Sequence, residues 1–294
     1  MWYDYLKVCR PLNCFIAVLA VIIGGIASFG SQNGIFSSLT LMIIQNLFIG
    51  AIGAGFISAG GYVINDVFDV EIDKINRPSR PIARGAISVS QGRKYAWSLF
   101  AIGIILCILT WNLLAIGISL CAAYMLYRYS TDLKRNGISG NLTVAILTFI
   151  LFIYGGVLTS NTIYAIFPAL FGFFLVLSRE IVKDVEDISG DQQYKCLTLP
   201  IRYGVKKSLF IAKSLLTFLA IIIIIPYILG IYSSWVYPLF IGINEIFLAT
   251  VIVFLSRKPE MELIRAATPS KQLLKLNMLL GTMGFFIASI IPIF

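Results

Sequence analysis

The sequence predicts an all-α integral membrane protein, a bundle of about nine transmembrane helices, and three observations lead there. The 294-residue chain is 59% hydrophobic and only 13% charged, with a mean hydropathy of +0.90, far outside the range of a soluble globular domain. Apolar runs of roughly 17 to 25 residues, the length that spans a ~30 Å hydrocarbon core as helix, recur along the whole chain. The cations fall on alternate connections between those runs.

The first run, about 13–30, follows Lys7, Arg10 and Pro11. It lacks a small-residue cleavage site and reaches a full spanning length, so it reads as a retained helix and not a signal peptide. The remaining runs are about 39–64, 95–111, 113–128, 141–159, 162–182, 208–228, 232–255 and 273–293. Turn signals at Gly30-Ser31-Gln32-Asn33-Gly34 and Ser160-Asn161 separate neighbours, and the break at Trp111-Asn112 is tight.

A net charge of +9 would suit a nucleic-acid partner were it clustered on a soluble face. Instead, Lys7 and Arg10 precede the first span, and Lys74, Arg77, Arg80, Arg84, Arg93 and Lys94 join the second to the third. Arg128, Lys134 and Arg135 follow the fourth; Arg179, Lys183, Lys195, Arg202, Lys206, Lys207 and Lys213 surround the connection after the sixth; Arg257, Lys258, Arg265, Lys271 and Lys275 follow the eighth. This positive-inside pattern places the N-terminus and every basic loop in the cytoplasm and the C-terminus outside the cell membrane. No nucleic acid and no obligatory protein partner is implied. Topology and anionic-lipid anchoring account for most of the cations, but not for the acids.

Of 14 acidic residues, four lie in residues 66–73 and five in residues 180–191, at the predicted cytoplasmic ends of the second and sixth spans. If the second helix continues through its end, Asn65, Asp69 and Asp73 share one face, drifting about 40° per i, i+4 step, while Asp66 and Glu71 point elsewhere. Glu180, Asp184, Asp187 and Asp191 form a second stripe, with Glu186 off it. Like charges so spaced cost a helix a few tenths of a kcal/mol per pair. Salt bridges from Lys74, Arg77, Lys183 and Lys195 would offset that cost, but such pairing does not require carboxylates aligned on one face twice. Oxygen-only ligand sets suit Mg²⁺, which takes one or two carboxylates, keeps waters and accepts substrate phosphates. The absence of histidine argues against zinc, non-haem iron or haem.

Asn65 to Glu180 and Asp69 to Asp184 are both 115 residues apart, which suggests a four-helix pseudo-repeat, about 1–128 and 129–255 plus a ninth helix, within a single domain over 1–294. Asn65-Asp66-x-x-Asp69-x-x-x-Asp73, Arg77-Pro78-x-Arg80-Pro81 and the second motif Asp187-x-x-x-Asp191 closely resemble the UbiA family of intramembrane prenyltransferases. The resemblance covers nearly the whole chain. It implies nine helices around a central cavity, an isoprenyl diphosphate held through Mg²⁺ by the two motifs, and prenyl transfer to an acceptor. Asn65, Asp69, Asp73, Glu180, Asp187 and Asp191 would be the metal shell, with Asp184 nearby; Asp69, Asp73, Asp187, Asp191 and Lys134 would carry catalysis. The family's Tyr-x-x-x-Lys element has its nearest match in Tyr129 to Lys134, one residue longer.

Arg10-Pro11-Leu12-Asn13-Cys14, Asn76-Arg77-Pro78-Ser79-Arg80-Pro81-Ile82, the Arg179 to Asp191 stretch and Thr198-Leu199-Pro200-x-Arg202-x-Gly204 are most similar to the archaeal ether-lipid branch of that family. That likeness implies geranylgeranyl transfer from geranylgeranyl diphosphate to the free hydroxyl of geranylgeranylglyceryl phosphate. Diphosphate leaves when cations neutralise it, and Lys134, Lys183, Arg77 and Arg80 are the candidates. The acceptor's own phosphate needs a further positive site, for which Arg10, Arg135 and Arg202 are available, with Asn13 beside them.

Tyr124, Tyr127 and Tyr129 stand close to the site, either stabilising an allylic cation through their ring faces or forming an interfacial belt. The small residues of 50–61 either permit close helix packing or make room for a prenyl tail. Glu245, inside the eighth span, is either functional or hydrogen-bonded within the bundle. Five unpaired cysteines read as reduced thiols. Beside the ether-lipid reading stand an aromatic-acceptor prenyltransferase of quinone, haem or chlorophyll pathways and, from another class, a cation-dependent transporter, although transporters interrupt their helices near the midplane.

Overall fold

The computed structural model describes residues 2–29, 40–193, 196–256 and 260–291. The Gly30 to Gly34 turn, Lys195, Arg257, Lys258 and Phe294 lie outside the described residues. A short helix α1 (Trp2–Cys9) leads into α2 (Pro11–Ala27), followed by α3 (Leu41–Phe68), the short α4 (Val70–Asn76), α5 (Val89–Ile108), α6 (Leu113–Thr131) and a 3-10 turn (Leu133–Asn136). Then come α7 (Ile138–Leu158), α8 (Ile166–Glu186), the short α9 (Ile188–Gln193) and α10 (Leu199–Tyr203), α11 (Val205–Ile222), the single turn α12 (Ile225–Ile228), α13 (Val236–Phe254) and α14 (Glu260–Ile290). There is no strand among the described residues.

Among the described residues six stretches are long and apolar enough to cross a membrane: α3, α6, α7, Val205–Ile228, α13 and Met261–Ile290 of α14; α1 and α2, bent by 49° where they meet, make a seventh if counted as one span. The protein is a multi-pass membrane protein. Helices α5 and α8 are of similar length but carry charged residues toward one end, such as Arg93 and Lys94, or Arg179, Lys183 and Asp184. The last helix begins well before the apolar run and passes through Pro269, so its polar first half was not visible as part of one element.

Local chemistry sets the ends. Thr40 caps α3 by accepting from Ile43 N, Ser88 and Gln91 form a reciprocal capping box on α5, and Asn112 accepts from Ala115 N. Asn112 also donates to Val157 O at 3.1 Å, and Trp111 takes a left-handed φ of 54°, so the tight break is a capped reversal that ties α6 to the far end of α7. Gly137, at φ 54°, has no room for a side chain: a Cβ would sit 2.1 Å from Leu197 O.

Packing divides into two apolar cores. One gathers Val21, Leu47, Ile57, Ile64, Phe100 and Tyr154 from α2, α3, α5 and α7; the other gathers Phe171, Leu175, Leu216, Tyr237, Leu248 and Phe285 from α8, α11, α13 and α14. Ala20, Ile23, Phe152 and Ala169 join them. Outward-facing Trp2, Trp111 and Leu113 are each 86% exposed, tolerable for residues that meet lipid or its interface.

Candidate active site

Between the cores runs a cavity of about 870 Å³, lined by α2, α3, α5, α6, α7, α8 and α14 together with α4, α9 and the loops that follow them. Asn65, Asp69, Asp73, Glu180, Asp184, Asp187 and Asp191 all line it, as do Arg10, Asn13, Arg77, Arg80, Tyr129, Lys134 and Lys183. The two carboxylate stripes, 115 residues apart in sequence, therefore face one space.

Neither motif-bearing helix runs straight through. Helix α3 stops at Phe68 and α4 resumes at Val70, with Asp69 between them at φ −90°, ψ 7°. Backbone bonds from Asp69 N to Asn65 O (2.9 Å) and from Asp73 N to Asp69 O (2.8 Å) persist, so the ladder bends without breaking and the three side chains keep a common side.

The Arg-Pro-x-Arg-Pro loop folds back as a clasp. Arg80 reaches Asp73 at 2.5 Å and Asp66 at 3.0 Å, and Arg10 reaches Asp66 at 2.5 Å while its guanidinium lies 5.0 Å from the Tyr62 ring centroid. Asp66, expected only to point elsewhere, is buried and joins α2 to the loop. Arg10 occupies a left-handed conformation, φ 54°, ψ 65°, a strain of order 1–3 kcal/mol for a non-glycine residue. Asp69 accepts from Asn65 Nδ2 at 2.7 Å and pairs with Lys134; the extra residue between Tyr129 and Lys134 is taken up where α6 gives way to the 3-10 turn.

On the second motif, Glu180 pairs with Arg179 at 2.6 Å and Lys183 at 3.3 Å, and Asp184 accepts from Asn141 Nδ2 at 2.7 Å. Burial, with Asp187 beside it, pushes the Asp191 carboxyl above its usual range. Of the expected neutralising pairs, Lys183 is in place, Lys74 pairs instead with off-stripe Glu71 at 2.7 Å, and Arg80 and Lys134 take the larger share.

Three further residues have distinct placements. Arg202 does not line the cavity: α10 anchors through buried Leu199 and Pro200, which leaves Arg202 exposed. Glu186, off the stripe, does line the cavity and bonds Thr268 and Lys271 of α14. One Glu245 carboxyl oxygen is buried with no hydrogen-bond partner among the described residues, and Glu245 stands away from the cavity. The Arg135 side chain lies outside the described residues. The small-residue run serves both suggested ends: Gly53 and Gly60 press on Cys107 and Phe100 of α5, while Ala54, Ser58 and Gly61 line the cavity. Cys9, Cys14, Cys107 and Cys121 are free thiols.

Sequence reasoning missed Asn141 and Arg179 as cavity residues. Asn141 had no motif to mark it. Arg179 was read as part of a topology signal, although its adjacency to Glu180 was a cue.

Carboxylates and cations gather at one end of a cavity whose remaining walls are mostly apolar. Comparison places it: the UbiA prenyltransferase family model matches residues 15–289, and the chain belongs to that family. It is 38% identical over 290 residues to the digeranylgeranylglyceryl phosphate synthase of Saccharolobus solfataricus, covering 98% of this chain and 97% of that protein. It is 35% identical to the enzyme of that name from Methanocaldococcus jannaschii, covering 97% and 96%. A solved structure concerning digeranylgeranylglyceryl phosphate synthase in membranes superposes with a TM-score of 0.81 at 32% identity, covering 98% of both chains. A UbiA homologue from Archaeoglobus fulgidus, solved bound to GPP and Mg²⁺, shares the fold at a TM-score of 0.69 and 20% identity, covering 96% of this chain and 99% of that one.

Proposed function

We propose that this protein transfers the geranylgeranyl group of geranylgeranyl diphosphate to the free hydroxyl of geranylgeranylglyceryl phosphate, forming the second ether bond of an archaeal membrane lipid. The observation that carries the reading is that both carboxylate motifs and their cations line one cavity that continues as an apolar chamber. The C–O bond to diphosphate breaks with its electron pair leaving on the diphosphate, the acceptor oxygen bonds to the allylic carbon, and the hydroxyl proton passes to the released diphosphate.

Among the described residues no three carboxylates converge tightly enough to hold a metal unaided. Their donor set still fits Mg²⁺, which takes one or two carboxylates and completes its octahedron with phosphate and water. Asn65, Asp69, Asp73, Glu180, Asp184, Asp187 and Asp191 would hold it. Bound there, Mg²⁺ would neutralise the charge that grows on the departing diphosphate.

Arg77, Arg80, Lys134 and Lys183 are placed to bind and orient that diphosphate. Arg10 and Asn13, on α2 at the same mouth, suit the acceptor's phosphate. Tyr129 presents a ring to the cavity where positive charge develops. The apolar walls below exclude the water that would otherwise capture the allylic carbon.

The charge pattern supports nine crossings in all, with α5 and α8 among them, the N-terminus and motif loops cytoplasmic and the C-terminus outside. The recurrence of one bent, aspartate-bearing helix end supports an internal four-helix repeat. The test is product identification after incubating purified protein with Mg²⁺, labelled geranylgeranyl diphosphate and a panel of lipid and aromatic acceptors. A prenylated 4-hydroxybenzoate or naphthoate in place of the diether would overturn the acceptor.

A further inference from the structure

The cavity has a defined bottom, and none of the residues that close it belongs to the diphosphate site. Along α3 its lining descends from Asp69 to Ala54. At a helical rise of about 1.5 Å per residue, that 15-residue offset is about 22 Å deep. Cys107 of α5, Ser119 of α6 and Tyr154 of α7 line the same deep end. Tyr154 donates to Cys107 Sγ at 3.0 Å, which locks the ring across the floor, and both residues are buried. Beyond them the helices are in contact: a Cβ on Gly50 would sit 3.1 Å from Tyr154 Oη and 2.5 Å from Leu158 Cδ1.

At C–C bonds of about 1.5 Å an extended isoprene unit covers about 5 Å, so four units need about 20 Å and a fifth overshoots the floor. We infer that the Tyr154–Cys107 pair is the end stop that sets donor chain length, admitting a twenty-carbon tail and rejecting a twenty-five-carbon one. This rests on the prenyltransferase reading, since the diphosphate must be anchored at Asp69 for depth to measure length. Tyr154 and Cys107 touch no reacting atom; they are specificity residues.

Binding tests this without reference to the acceptor. Dissociation constants for farnesyl, geranylgeranyl and geranylfarnesyl diphosphates are measured with Mg²⁺ for the wild type and for Tyr154→Ala, Tyr154→Phe and Ala54→Leu. The wild type should bind the twenty-five-carbon donor on the order of tenfold more weakly than the twenty-carbon one, the scale set by a few methylenes that do not fit. Tyr154→Ala should erase that difference, and Tyr154→Phe, which keeps the ring, should retain it. Ala54→Leu, which raises the floor, should move the cut-off so that fifteen carbons bind better than twenty. Equal wild-type affinity for twenty and twenty-five carbons, or unchanged ratios in Tyr154→Ala or Ala54→Leu, would overturn the end stop while the functional reading stands. Failure of the wild type to bind any of the three donors would overturn both.

Discussion

Asp69 and Asp187 hold the same backbone conformation at the same point of their helices. Asp69, at φ −90°, ψ 7°, closes α3, and Asp187, at φ −87°, ψ 4°, closes α8. Each N–H still bonds the carbonyl four residues back, Asn65 O and Lys183 O, at 2.9 Å. A ψ near zero turns the next helical segment aside and leaves the carboxylate at the bend, facing the cavity.

Asp69→Asn and Asp187→Asn should each lower turnover on the order of a hundredfold or more, the cost of losing a charge-stabilising partner in the transition state, with the protein still folded. Because both would act on one leaving group, the double variant should be little slower than either single one. Steady-state rates of the four proteins decide it, and fully multiplicative losses would mean two separate sites.

Glu71→Gln is the proper control for lost charge. Its carboxylate pairs with Lys74 at the surface, where such pairs contribute little, so activity and stability should stay near wild type. Glu186 does not serve that purpose, since it joins α8 to α14 through Lys271 and Thr268.

Arg80→Ala should destabilise the protein by about 3 kcal/mol, because removing one member of a buried ion pair leaves the other charge uncompensated; here Asp73 loses its partner, while Asp66 keeps Arg10. Unfolding in detergent measures it. A loss below about 0.5 kcal/mol would show that the clasp is only a surface contact.

Chelation of divalent cations should abolish turnover, and added Mg²⁺ should restore it, with zinc a poor substitute for an oxygen-only donor set. Full activity in excess chelator would remove the metal from the mechanism.

The carboxylate stripes were legible because helical period alone puts Asn65, Asp69 and Asp73 on one side, and the small bend at Asp69 preserves that. What period cannot express is which residues of distant segments meet. Asp66 looked off-face, yet Arg10 and Arg80 arrive from two other segments to enclose it. Arg202 looked available, but burial of its neighbours Leu199 and Pro200 turned it outward. Asn141 carried no motif and gained its role only when α7 packed beside α8. The first half of α14 was hidden because its polar residues interrupt the hydropathy by which the apolar span was found.

The missing side chain at Gly137 lets two segments near the mouth of the cavity meet. The segment bearing Lys134 rests on the Leu197–Thr198 backbone with no space between them, and Leu197 comes six residues after Asp191 in sequence. The approach couples the turn that carries Lys134, the partner of Asp69, to the Leu197–Thr198 backbone. A methyl group at position 137 would force the two segments apart and shift the lysine away from its carboxylate.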